Sequence, residues 1–270
     1  MSGEGRLPNP ELKILLSTGS LFHFPLERIA EIGAGAGFDG LELILSDPEF
    51  LNVGRVLRDT ESCHVLSIHA PFRQWALWGG HFKAWKNSVD LAWELGGVRN
   101  VTLHPPFFKP GEFSLYWRFA TTGDLAAILD VEDSRLLSLE NLPWQDRGPF
   151  GKDPLAGLAQ ACLQKGMGMT LDVCHLGVSG RDILDAWQAV PPGLVRNIHF
   201  SDTDGLREHL WPGTGRLPLD RFLDRVGNDE YQGFLTLEVS PGAFDAEDDV
   251  VRRLGEWVSR AREALELPKA

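Results

Sequence analysis

The chain has 270 residues, 43% apolar and 24% charged, with 26 Lys and Arg against 38 Asp and Glu for a formal net charge of −12. That balance fits a globular chain, excludes a low-complexity one, and works against the broad phosphate-neutralising face that nucleic acid requires. Intact DNA is therefore not an expected partner, and a small-molecule substrate is. No apolar stretch approaches the roughly 20 residues needed to cross a bilayer. Met1–Pro10 carries no basic segment leading into an apolar one. Three cysteines, Cys63, Cys162 and Cys174, form an odd set without paired spacing, so no disulfide framework is expected and a cytoplasmic location is. Nothing in the sequence fixes the oligomeric state.

In chain order, residues 1–11 read as a flexible extension. An apolar strand at Lys13–Thr18 then leads to a helical pattern at Leu26–Ala36. The beat repeats: strand Gly40–Leu45 with helix Phe50–Glu61, strand Val65–His69 with helix Phe82–Leu95, and strand Asn100–His104 with helix Leu115–Leu129. Strand Leu136–Glu140 precedes helix Pro154–Lys165, Met169–Asp172 precedes Arg181–Ala189, and Val195–His199 precedes Leu219–Val226. Phe234–Val239 and a last helix, Asp245–Leu265, close the series. The strands are short and mostly apolar, as parallel strands covered on both faces are. Gly33, Gly35 and Gly37 end a helix and read as a turn, not as a dinucleotide fingerprint, which would follow a strand. Eight such units without a linker between them predict an α/β fold, a single (β/α)8 TIM barrel spanning residues 1–270.

The polar residues fall where a barrel would use them. His69, His104, Glu140, Asp172, His199 and Glu238 stand at or next to the C-terminal ends of six strands, which a barrel gathers at one mouth. His175 and His209 lie just beyond two of those ends. Carboxylates that end apolar strands need a cation or several donors. The mixed nitrogen and oxygen set predicts one to three divalent metal ions, Zn²⁺ or Mn²⁺ first, and excludes a thiolate structural zinc. Glu140, with two oxygens, is positioned to bridge two ions.

Asp172-Val-Cys174-His175 followed by Gly180-Arg181-Asp182 resembles the Asp-x-Cys-His segment of the endonuclease IV family. Leu139-Glu140-Asn141, Leu103-His104-Pro105, His199 with Ser201-Asp202, Leu237-Glu238 and His209-Leu-Trp-Pro-Gly213-Thr-Gly215 are similar to its other motifs. The wider group is that of xylose isomerase-like barrels, the AP endonuclease family 2 superfamily, with its sugar isomerases and epimerases. The resemblance implies His69, His104 and Glu140 around one ion, Glu140, Asp172, His199 and Glu238 around a second, and His175 with His209 at a third. Where the family has a ligating Asp two residues before the histidine matching His209, this chain has Arg207, read here as gripping an anionic or hydroxyl-bearing substrate.

Two chemistries follow. The first is hydrolysis of a small phosphoester at a polynuclear centre, with Glu140 bridging and Glu238 orienting the nucleophile. The second is isomerisation or epimerisation of a sugar or sugar phosphate at one ion, with Glu140 and Glu238 as catalytic acid and base. The histidines at 69 and 104 place hydrolysis first; Glu42, in the second strand, favours the isomerase branch as a substrate contact. His175 and Trp211 complete the substrate-binding candidates, and His23 is a further candidate for the pocket. Trp75, Trp78 and Trp144 share the mouth-side loops, Trp85 and Trp93 read as core-facing, and His64 and His81 as surface or packing residues.

Overall fold

The computed structural model describes residues 12–106, 114, 117–119, 129, 134–143, 153–244 and 247–267. The expected extension 1–11, most of the helix expected over Leu115–Leu129, and Trp144 lie outside them, although positions 117–119 and 129 are helical.

Eight strands form a closed, wholly parallel barrel in chain order. They are β1 (Lys13–Ser17), β2 (Gly40–Ile44), β3 (Val65–His69), β4 (Asn100–Leu103), β5 (Leu137–Glu140), β6 (Gly168–Asp172), β7 (Val195–Phe200) and β8 (Phe234–Leu237). Around them run α1 (Leu26–Gly35), α2 (Val53–Asp59), α3 (His81–Leu95), α4 (Pro154–Gln164), α5 (Val173–Val178), α6 (Ile183–Ala189), α7 (Leu219–Asn228) and α8 (Glu247–Ala264). No helix among the described residues is long and apolar enough to cross a membrane. Cys63, Cys162 and Cys174 are all free and buried.

Local chemistry sets the helix ends. Asp153 accepts from the backbone N–H groups of Leu155 and Ala156, both at 3.2 Å, and Pro154 opens α4 without needing a donor. Asp182 caps α6 in the same way. Gly96 stops α3 in the left-handed region, at φ 72°. Trp85 on that helix is wholly buried, but Trp93 is 51% exposed, contrary to the core-facing expectation. Eight residues turn a helix about 80° past whole turns, which carries Trp93 off the apolar stripe.

Inside the barrel the strands alternate. Leu41, Leu43, Ile68, Val101, Leu139, Leu171, Ile198 and Leu235 belong to the apolar core, while Glu42, Ser67, Thr102, Ser138, Thr170, Asn197 and Thr236 are wholly buried polar residues. Hydrogen bonds run between strands that are not neighbours, Glu42 of β2 to Asn197 of β7 and Thr102 of β4 to Thr170 of β6. Such bonds can only cross the barrel's interior, so the polar set faces inward and the apolar set packs under the helices. The sequence reading of these strands as mostly apolar missed this layer.

Candidate metal centre at the barrel mouth

Three groups of donor atoms meet at the C-terminal ends of the strands. His69, His104 and Glu140 form one, Glu140, Asp172, His199 and Glu238 a second, and Asp172, His175 and His209 a third, with the donor atoms of each group within 4.8 Å of one another. His69, Glu140 and Asp172 are the last residues of β3, β5 and β6; His104 and Glu238 stand one residue beyond β4 and β8. Glu140 lies at the centre. Its Oε2 is 3.1 Å from His69 Nε2 and 2.9 Å from His104 Nε2, and its Oε1 is 3.3 Å from both His175 Nδ1 and His199 Nδ1. Glu238 Oε2 approaches His199 Nδ1 to 2.9 Å. With its side chain 19% exposed against 1% for Glu140, Glu238 is the more accessible of this pair.

The neighbouring backbone orients the rings. His69 Nδ1 donates to the Ala70 carbonyl at 2.8 Å and His175 Nδ1 to the Asn141 carbonyl at 2.9 Å. Such bonds fix the tautomer and leave the other ring nitrogen as the electron-pair donor. Asn141 also clamps β5 to β6: its Nδ2 donates to the Asp172 carbonyl and its Oδ1 accepts from the Asp172 N–H, each at 2.9 Å. Asp172 Oδ1 caps α5 by accepting from His175 N–H at 2.7 Å. Its Oδ2 is buried without a hydrogen-bond partner. An unpartnered buried carboxylate oxygen is costly, and here it faces a set of imidazole nitrogens and carboxylate oxygens. That set fits a divalent ion of the zinc or manganese kind.

Protonation follows the crowding. Burial opposes charge on His199, yet Glu42, Glu238 and Glu140 around it hold its pKa well above the ordinary value. Burial likewise opposes charge on His175, but Asp172 and Glu140 raise it to about 10. His69 is raised against burial by its bond to Glu140, whereas burial outweighs Glu140 at His104 and lowers it. Burial works against the Glu140 carboxylate, but His104 and His199 keep it well below the carboxylate range. Glu238 is depressed in the same way by His199. Burial lifts Asp172. Without a cation, the cluster balances its carboxylates with protons on imidazole.

The loop between β7 and α7 carries His209 in the left-handed region, at φ 56°. Its Nδ1 donates to the Glu238 carbonyl at 3.2 Å, and its N–H meets Cys174 Sγ at 3.1 Å. Asp202, wholly buried, gathers the rest of that loop by accepting from Gly213 N–H at 3.0 Å, Gly215 N–H at 2.9 Å and Leu217 N–H at 3.1 Å. A Cβ at Gly215 would collide with the Asp202 carboxylate, and Gly213 lies in the left-handed region at φ 86°, so both positions favour glycine.

Not every candidate joins the cluster. Arg207 is 72% exposed and its Nε pairs with Asp204 at 2.8 Å, so its charge is spent within its own loop. Glu42, the second-strand candidate for a substrate contact, is wholly buried, with its Oε1 2.8 Å from His199 Nε2. Trp211 is half-buried, its ring edge-on to Phe244 and 4.7 Å from the Arg253 guanidinium. His23 is exposed between Phe22 and Phe24. His81 is buried against Trp75 at 3.9 Å between ring centroids, and burial lowers its pKa to about 4. His64 is exposed. Phe72 and Arg73 were missed. The Phe72 ring packs 5.5 Å from His69 and 5.2 Å from His104, under the Arg73 guanidinium at 4.4 Å. Their position three and four residues past His69 was the available signal.

Residues 30–261 match the family of xylose isomerase-like TIM barrels. The chain belongs to that family. It is 27% identical over 288 aligned residues to an uncharacterized protein of Mycobacterium tuberculosis, covering 95% of this chain and 99% of that one. Solved structures that share the fold include three at TM-scores of 0.68–0.69. A D-tagatose 3-epimerase-like protein (0.69, 18% identity) covers 94% of this chain and 98% of its own. The IolI protein with a bound zinc atom (0.69, 15% identity) covers the same shares. An L-ribulose 3-epimerase (0.68, 17% identity) covers 95% of both chains.

Proposed function

We propose that this protein is a metal-dependent isomerase or epimerase of a small sugar or sugar phosphate. The observation that carries the reading is the four-residue group Glu140, Asp172, His199 and Glu238, with three carboxylates and one imidazole converging at the mouth. These residues would hold a divalent ion, Zn²⁺ or Mn²⁺ first. When bound, such an ion draws electron density from a substrate carbonyl and makes the adjacent C–H more acidic. Glu238, the more open of the two catalytic candidates, takes the proton from that carbon. Glu140, three strands away around the barrel and ionised at rest, would return a proton from another direction after taking one up from solvent, and Glu238 would release the one it took to solvent. Buried carboxylates suit this work, because a base short of water transfers a proton without first shedding a hydration shell. His175 and Trp211 are the candidates to line the substrate, and Phe72 shields the His69 side from water.

Sequence alone placed phosphoester hydrolysis first. Two of the three solved structures bear epimerase names and none is named a phosphoester hydrolase, so the order is reversed. One observation keeps hydrolysis as the second reading. His69, His104 and Glu140 offer a further donor group beside the first, the arrangement a two-ion hydrolytic site needs. The deciding experiment incubates the Mn²⁺-supplemented protein in D₂O with pentuloses, ketohexoses and their phosphates, read by NMR. Deuterium entering at the carbon beside the carbonyl, with the epimer or aldose appearing, is expected. Release of inorganic phosphate without any exchange would replace this reading with hydrolysis.

A further inference from the structure

We infer that Glu42 is a positioning residue for the metal centre, turning the His199 ring so that Nδ1, not Nε2, is presented to Glu140, Asp172 and Glu238. The inference rests on the metal-dependent reading above but not on the reaction chosen there. Glu42 is wholly buried one layer below the mouth. Its Oε2 accepts from Ser67 Oγ at 2.6 Å and Asn197 Nδ2 at 2.7 Å, with Thr102 Oγ1 at 3.5 Å. These partners are themselves braced: Asn197 Oδ1 accepts from Thr236, and Asn100 donates to both Ser67 and Thr102. The carboxylate is thus held from β3, β4 and β7, and its other oxygen has no neutral donor.

That second oxygen, Oε1, lies 2.8 Å from His199 Nε2. The contact is an ion pair set off the axis of a straight N–H···O bond, since both atoms otherwise lack hydrogen-bond partners. The opposite nitrogen, Nδ1, is 2.9 Å from Glu238, 3.3 Å from Glu140 and 3.8 Å from Asp172. His199 is the one cation paired with Glu42 among the described residues. A lone buried carboxylate costs more than the neutral layer of Ser, Thr and Asn around it. A carboxylate behind a ligating imidazole orients the ring and raises its basicity, and Glu42 Oε1 stands behind His199 at 2.8 Å from Nε2, on the side away from Glu140 and Glu238.

The test strips the full-length protein with a chelator and titrates it with Mn²⁺ by calorimetry. Glu42→Gln, which keeps shape and removes charge, is expected to weaken Mn²⁺ binding by about 10- to 100-fold. In parallel, the ¹⁵N imidazole spectrum of the Zn²⁺-loaded wild type is expected to show His199 protonated at Nε2 and metal-bound at Nδ1. Binding of Mn²⁺ by Glu42→Gln as tightly as by wild type, or a His199 bound through Nε2, would overturn the inference. If Glu42→Gln fails to fold, the wild-type spectrum alone decides. Wild type that binds neither ion overturns the metal-dependent reading and this inference together.

Discussion

The two sides of the metal centre hold charge differently. On the β3–β4 side, His69 and His104 pair with one carboxylate, Glu140, and pack against each other and Phe72, with the His199 ring stacked 5.8 Å from His69. On the β6–β8 side, Asp172 and Glu238 join Glu140 around His199, with Glu42 behind it. A divalent ion on the carboxylate-rich side meets charge enough to repay its lost hydration. An ion on the imidazole side depends on sharing Glu140 with its neighbour. The β6–β8 side is therefore the one expected to fill first, and the β3–β4 side the one whose occupancy distinguishes a one-ion from a two-ion chemistry.

The largest effect that would break this ordering belongs to Glu140, common to both sides. Glu140→Gln is expected to lower deuterium exchange by about 10²- to 10⁴-fold and to reduce the ion content of protein purified without chelator. Glu238→Gln is expected to cost exchange a similar factor while removing fewer ions, because it touches one side only; metal analysis beside the exchange assay separates the two. His69→Ala and His104→Ala come next. Under the isomerase reading they reduce exchange by less than about tenfold, whereas a loss of 10²-fold or more would show that the imidazole side takes part in catalysis.

A smaller effect sharpens the comparison through pH. His199 has a raised pKa, so it carries a proton at neutral pH and must lose it to become a ligand. Metal binding is therefore expected to release a proton at pH 7, and affinity to rise with pH until His199 is neutral without the ion. Calorimetry in buffers of different ionisation enthalpy measures the proton count; affinity that falls with rising pH contradicts the assignment. The smallest effect is expected at Arg207→Ala. With its guanidinium exposed and paired to Asp204, its loss should change KM by less than about twofold, within the range of exposed ion pairs.

The fold was legible because the signal is repeated. Eight apolar strands alternating with helical spacing leave few ways to cover both faces of a parallel sheet, and the strand-end histidines and carboxylates mark its mouth. The short helix α5 was not legible, since Val173–Val178 follows β6 at once and its capping residue, Asp172, also reads as a strand-end ligand. Sequence does not reveal whether a charge such as Arg207 or Glu42 points to the mouth, to a loop neighbour or into the barrel; here Arg207 pairs with Asp204 in its own loop and Glu42 is buried against His199. The polar layer beneath the mouth was written in the alternation of Leu41-Glu42-Leu43 and Leu137-Ser138-Leu139-Glu140, but strands covered on both faces do not announce which side lines the interior.

By itself the amino-acid order determined the barrel and the eight donor residues at one rim, because periodicity and residue type are local properties of the chain. Which donors share an ion, which nitrogen of His199 faces the centre and which carboxylate stays open to a substrate were decided only by tertiary structure. Those properties depend on distances of a few ångströms between strands far apart in sequence, and chain closure sets such distances.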